Sequence, residues 1–123
     1  MKDNKRIGQV GEQIAREYLI SNEYKILYQN FLAKRYGEVD LIAVSPDKKT
    51  LVFVEVKTRI GTEFGRPEEA VGQGKLHELR KMVDYYYQQY PQTRQSPQID
   101  VVAIVLNGDE TMQSMEHFEN VTL

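Results

Sequence analysis

The 123 residues are 41% apolar and 28% charged and include no cysteine. That is the size and balance of one folded domain, and it excludes thiol catalysis, cysteine-ligated zinc and iron–sulfur clusters while fitting a reducing compartment. The net charge of −2 conceals an asymmetry: residues 1–99 hold all 16 Lys and Arg against 13 acids, whereas Asp100 to Leu123 carry five acids and no base. No apolar run approaches the roughly 20 residues of a membrane-spanning helix, and the N-terminus lacks the apolar stretch of a secretory leader. The expectation is a soluble cytoplasmic protein with no membrane partner.

From Asn4 to about Ser21, the residues Ile7, Val10, Ile14, Ala15, Tyr18 and Leu19 recur at helical spacing, which predicts an amphipathic helix with Gly11 under its apolar stripe. Tyr24 to Leu32 reads as a first strand with imperfect alternation. Glu38–Val44 and Leu51–Lys57 are two strands joined by Ser45-Pro46-Asp47-Lys48-Lys49-Thr50, a run of turn formers that predicts a hairpin. A loop with Gly61 and Gly65 follows, and Pro67-Glu68-Glu69 has the proline and early acids of a helix start. Gly72 and Gly74 interrupt that start, and Leu76, Leu79, Val83, Tyr86, Tyr87 and Tyr90 then share one helical face. Ile99–Leu106 is a nearly continuous apolar strand of the kind covered on both faces, Asn107-Gly108 turns the chain, and His117–Leu123 is expected to add a short edge strand. The order α, β, β, β, α, β, β is that of a mixed α/β single domain with a core of about residues 4–106 and an acidic extension at 107–123.

Leu51 to Lys57 is apolar on both faces, as in a strand from the middle of a sheet, yet it contains Glu55 and Lys57 two apart and therefore on one face. A buried charge costs several kcal/mol without a partner. If Val44 faces Leu51, the hairpin register sets Asp40 opposite Glu55, and Glu38, Asp40, Glu55 and Lys57 share a side. Three acids crowded across a strand pair repel one another. Two readings remain: an ion pair of Glu55 with Lys57 that is purely structural, or a divalent cation held by hard oxygen ligands, as Mg²⁺ is held by one or two carboxylates with waters or phosphate oxygens completing its shell. His77 and His117 have no second ligand at useful spacing and receive no role.

The motifs Gly8-x-x-Gly11-Glu12, Gly37-Glu38-Val39-Asp40-Leu41-Ile42-Ala43 and Phe53-Val54-Glu55-Val56-Lys57-Thr58-Arg59, followed by Phe64-Gly65-x-Pro67 and Lys75, resemble those of the YraN-like family of predicted endonucleases. That family is similar to Holliday-junction resolvases of the PD-(D/E)XK, or restriction-endonuclease-like, superfamily. The resemblance implies an α/β fold with an αβββαβ core and a mixed central sheet flanked by helices. It implies Asp40, Glu55, Lys57 and Glu12 as catalytic residues, with Asp40, Glu55, Glu12 and the Val56 carbonyl as ligands of Mg²⁺ or Mn²⁺. Val39 stands where the superfamily motif has its proline. Glu38 is a secondary candidate, and Arg59, Arg66, Lys75, Arg80 and Lys81 are candidates for contacting the phosphates of DNA, including branched DNA. Resolvase-like enzymes work as dimers, so a homodimer is an expectation of the same resemblance. A binding module that grips DNA without cutting, and a protein adaptor recognised through the acidic extension, are the alternatives.

Overall fold

The computed structural model describes residues 4–61 and 72–121. Its elements are α1 (Asn4–Ser21), β1 (Lys25–Leu32), a 3-10 turn (Lys34–Tyr36), β2 (Glu38–Val44), β3 (Thr50–Ile60), α2 (Gln73–Gln89), β4 (Ser96–Leu106) and β5 (Met112–Phe118). The strands form one sheet in chain order, β1-β2-β3-β4-β5. All neighbours are antiparallel except β3 and β4, which run parallel from Thr50↔Ser96 to Ile60↔Leu106 and need the crossover that contains α2. The protein is thus a mixed α/β fold, with a five-stranded mixed sheet and helices on its two faces, as the motifs and periodicity imply.

The hairpin between β2 and β3 explains the register. Ser45 N–H donates to the Thr50 carbonyl at 2.9 Å, and Asp47 accepts from the Ser45 hydroxyl at 2.6 Å and from Lys49 N–H at 2.9 Å. A loop closed by its own side chains fixes which residues face each other, and the ladder runs Val44↔Leu51 to Leu41↔Val54.

Two apolar clusters sandwich the sheet. On one side α1 contributes Ile7, Ala15 and Leu19 against Leu41, Val52, Val54, Val56, Val102 and Ile104. On the other α2 contributes Leu79, Met82, Val83 and Tyr86 against Ile42, Leu51, Phe53 and Ile99. The even residues of β3 therefore face α1 and the odd ones α2, and Glu55 and Lys57 belong to the α2 side. Helix α1 lies close because a Cβ at Gly11 would overlap the Thr58 side chain. At the β1–β2 connection Gly37 has φ of 127°, and a Cβ there would come within 2.8 Å of the Met82 methyl, so the 3-10 turn can sit against α2.

Two features of the described residues differ from the sequence expectations. The helix start at Pro67-Glu68-Glu69 lies outside the described residues; within them α2 begins at Gln73, with Gly72 as its extended cap residue, so Gly74 lies inside the first turn and does not interrupt it. The last strand is Met112–Phe118 and not His117–Leu123, because the turn is tight: Asn107 N–H donates to the Thr111 carbonyl at 2.8 Å, which returns the chain onto β4 five residues early. The extension thus contributes an edge strand to the sheet. The 3-10 turn was not legible at all. Among the described residues, no helix is long and apolar enough to cross a membrane.

Candidate active site

The β2–β3 ladder ends at Leu41↔Val54, one step short of Asp40 and Glu55. Val39 and Ile42 both pack in the α2 cluster while Leu41 packs under α1, so β2 departs from strict alternation through Asp40. In place of a backbone partner, the N–H of Val56 donates to Asp40 Oδ2 at 2.8 Å. That bond turns the Asp40 carboxylate sideways toward β3. The Val56 carbonyl lies on the same strand edge as that N–H.

Glu55 is 5% exposed, inside a strand whose other buried residues are apolar. Its Oε2 lies 3.9 Å from Lys75 Nζ, and no donor reaches the buried Oε1. The ion pair is therefore made from the first turn of α2, and Lys57, the partner in the purely structural reading, acts on Glu55 only through a longer-range attraction. Burial pushes the Glu55 carboxyl above the usual carboxylate range, opposed by Lys75, by Lys57 and by hydrogen bonding from Asp40 when that group holds a proton. Asp40 is raised to about 7, chiefly by burial and then by the Glu55 charge, with the Val56 N–H and Lys75 pulling the other way and Glu12 adding to the rise. Two buried carboxyls this close cannot both ionise freely, so near neutral pH the pair is poised to share a proton.

The remaining predicted acids are placed differently. Asn30, at φ of 55° in β1, donates from Nδ2 to Glu12 Oε1 at 3.0 Å and to Glu38 Oε1 at 3.1 Å. The expected patch of Glu38, Asp40 and Glu55 thus resolves into two pairs, Asp40 with Glu55 and Glu12 with Glu38, the second bridged by an amide. Among the described residues no three acidic or histidine side chains gather closely enough to hold a metal together. Glu12 acts on the first pair through its charge, which raises both carboxyls. Asn30 was missed in the sequence; an asparagine next to Gln29 in the middle of a strand, a residue type that tolerates positive φ, was the available signal.

Of the basic residues, Lys75 reaches the site and Arg59 stands exposed two residues beyond Lys57. Arg80 and Lys81 diverge into separate cavities on either side of Asp84, and Arg66 lies outside the described residues. A second buried acid, Asp100, also escaped notice. Its Oδ2 lies 2.7 Å from His117 Nε2, and its Oδ1 accepts from Gln98 Nε2 at 2.8 Å and Asn120 N–H at 3.0 Å. His117, given no role on spacing, is therefore partnered across the sheet.

The donor set fits a small divalent cation on two grounds: an orphaned buried carboxylate oxygen, and an all-oxygen pair of ligands of which Mg²⁺ needs only one or two. Residues 11–104 match the profile of the uncharacterised protein family UPF0102. A UPF0102 protein of Caldanaerobacter subterraneus subsp. tengcongensis is 40% identical over 119 residues, covering 96% of this chain and 95% of the relative. One from Natranaerobius thermophilus is 37% identical over 96% of this chain and 98% of its own length, and one from Syntrophomonas wolfei is 44% identical over 88% and 91%.

Proposed function

The chain belongs to the UPF0102 family, and we propose that it is a metal-dependent DNA endonuclease that hydrolyses phosphodiester bonds, with branched DNA as the favoured substrate form. The observation that carries this reading is the buried Glu55 Oε1, which no donor satisfies, facing Asp40 at the point where β2 leaves β3. An unpaired buried carboxylate oxygen costs about 1–3 kcal/mol or more and needs a reason to persist.

Asp40 and Glu55 would hold Mg²⁺ or Mn²⁺, with the Val56 carbonyl as a third oxygen. When bound, the cation polarises a phosphoryl oxygen and lowers the pKa of a water beside it. The Val56 N–H holds Asp40 Oδ2, which leaves Oδ1 to turn toward the cleft. Lys57, on the Glu55 face, orients the attacking water or meets the charge that grows on the phosphoryl oxygens. Lys75 opposes the rise that burial imposes on the Glu55 carboxyl and is positioned to meet an incoming phosphate. Glu12 and Glu38, tied to Asn30, border the site and tune its charge.

Labelled four-way-junction, linear and single-stranded DNA incubated with Mg²⁺ or Mn²⁺, and with chelator, test this directly. The wild type is expected to cut only with metal, and Glu55→Ala and Lys57→Ala to lose about 10³-fold or more. Metal-dependent products that survive both substitutions would falsify the site, and junction binding by every variant without cutting supports the non-catalytic module instead.

A further inference from the structure

A cavity of about 450 Å³ lies between the Lys34–Tyr36 turn and α2, lined by Arg35, Tyr36, Lys81, Asp84, Tyr85 and Gln88. Each of its walls belongs to a stretch of chain that also leads to the site. The 3-10 turn leads through Gly37 directly into Glu38 and Asp40, and α2 carries Lys75 at Glu55 in its first turn. Along α2, six to ten residues separate Lys75 from Lys81 and Tyr85, about 9–15 Å of helix axis. That is about three to four base steps of a DNA strand.

The lining is selective in its chemistry. The rings of Tyr36 and Tyr85 are 6.2 Å apart at 55°, and the Arg35 guanidinium carbon stands 5.1 Å over Tyr36. Tyr85 is also braced by Phe31 at 6.4 Å. A bare phosphate would meet the Asp84 carboxylate, and an aliphatic ligand would make no use of the two cations, the carboxylate and the amide that rim the cavity. A planar heterocycle fits: it can lie against a tyrosine or under a guanidinium, offer a ring amine to Asp84 or Gln88, and leave its flanking phosphate to Lys81.

We propose that this cavity takes an unpaired nucleobase of the DNA strand held at Asp40 and Glu55, so that the enzyme reads a single-stranded flank beside the bond it cuts. The inference rests on the nuclease reading for the position of the strand, and on the cavity alone for the base. It makes a junction or tailed duplex, where bases are free to leave the stack, a better ligand than a closed duplex.

The test is fluorescence-anisotropy binding in chelator, so that no cutting intervenes, using a labelled single strand, the same strand with abasic positions, and a blunt duplex. Wild type is expected to bind the intact strand tightest, and Tyr85→Ala to weaken it about tenfold or more, as loss of one base stack does. The abasic strand should show the same loss with wild type and little further loss with Tyr85→Ala. Lys81→Glu, an exposed change that leaves the core untouched, should weaken every single strand and reduce the salt dependence. Equal binding of intact and abasic strands, or a folded Tyr85→Ala that binds as wild type does, overturns the proposal. Metal-dependent cutting without base-dependent binding overturns the cavity and leaves the nuclease reading intact, whereas base-dependent binding without cutting does the reverse.

Discussion

Glu55 and Asp100 are the buried acidic side chains of the described residues, and they stand on neighbouring strands one register step apart, Val54↔Asp100 and Glu55↔Val101. One step changes the face. Asp100 shares the α1 side with Val54, where His117 and Tyr18 close over it, whereas Glu55 opens on the α2 side beside the gap left by β2. Both Asp100 oxygens are used, by His117, Gln98 and the Asn120 backbone, and His117 Nδ1 in turn lies 2.8 Å from the Tyr18 hydroxyl. If Nε2–H donates to Asp100, Nδ1 is the acceptor for that hydroxyl, so one network ties α1, β4 and β5 together. Glu55 has Lys75 at 3.9 Å, the charge of Lys57 further off, a hydrogen bond from Asp40 only when Asp40 holds a proton, and an Oε1 that no other donor reaches. The fold satisfies one carboxylate fully and leaves an oxygen of the other without a donor.

The comparison can be broken by removing each side in turn. Asp100→Ala should be the most damaging, with a loss of about 3–5 kcal/mol in chemical denaturation, because it strands His117, Gln98 and a backbone N–H in the interior. Its signature should be early loss of amide-exchange protection in β5.

Asp40→Asn should act in the opposite direction. The folded pKa of Asp40, about 7, lies above its unfolded value of 3.8, so the folded state binds more protons between these limits and the wild type loses stability as pH rises across that window. The metal-free substituted protein should therefore match the wild type near pH 4, gain on it through pH 7 and hold a constant advantage above, on the order of 2–4 kcal/mol. Thermal melts at pH 4, 6 and 8 read this, and a substitution that destabilises equally at all three would mean that Asp40 is structural in the manner of Asp100.

Tyr18→Phe is the smallest change. It keeps the ring contact with His117, at 5.5 Å between centroids, and removes only the hydroxyl, for a cost of about 1 kcal/mol with cutting unaffected. A loss of cutting here would couple the two acids across the sheet and end the distinction between them.

Much of this was legible in the residues. The turn chemistry of Ser45 to Thr50 set the β2–β3 register, and charges at Glu55 and Lys57 within an apolar strand marked the site face. The same reasoning applied to Asp100, an acid beside the continuous apolar run of β4, but its partner His117 comes from an edge strand held by backbone pairing, and Met112–Phe118 has too little β-branched or alternating character to announce itself. Lys75 could be singled out only by resemblance, since nothing local tells a helix lysine which strand residue it will meet. The split of the acids into two pairs depended on Asn30, whose positive φ turns its amide outward, a backbone feature that composition does not encode.

Cation uptake by Asp40 and Glu55 is what the proposed reaction requires of this fold. Isothermal titration of Mn²⁺ or Mg²⁺ into the protein at pH 6.5, alone and with an uncuttable oligonucleotide, in two buffers of different ionisation enthalpy, measures both uptake and the protons displaced. Binding that releases up to about one proton and disappears in Glu55→Gln is the predicted result; no heat of binding in either condition, or unchanged binding in Glu55→Gln, would contradict it.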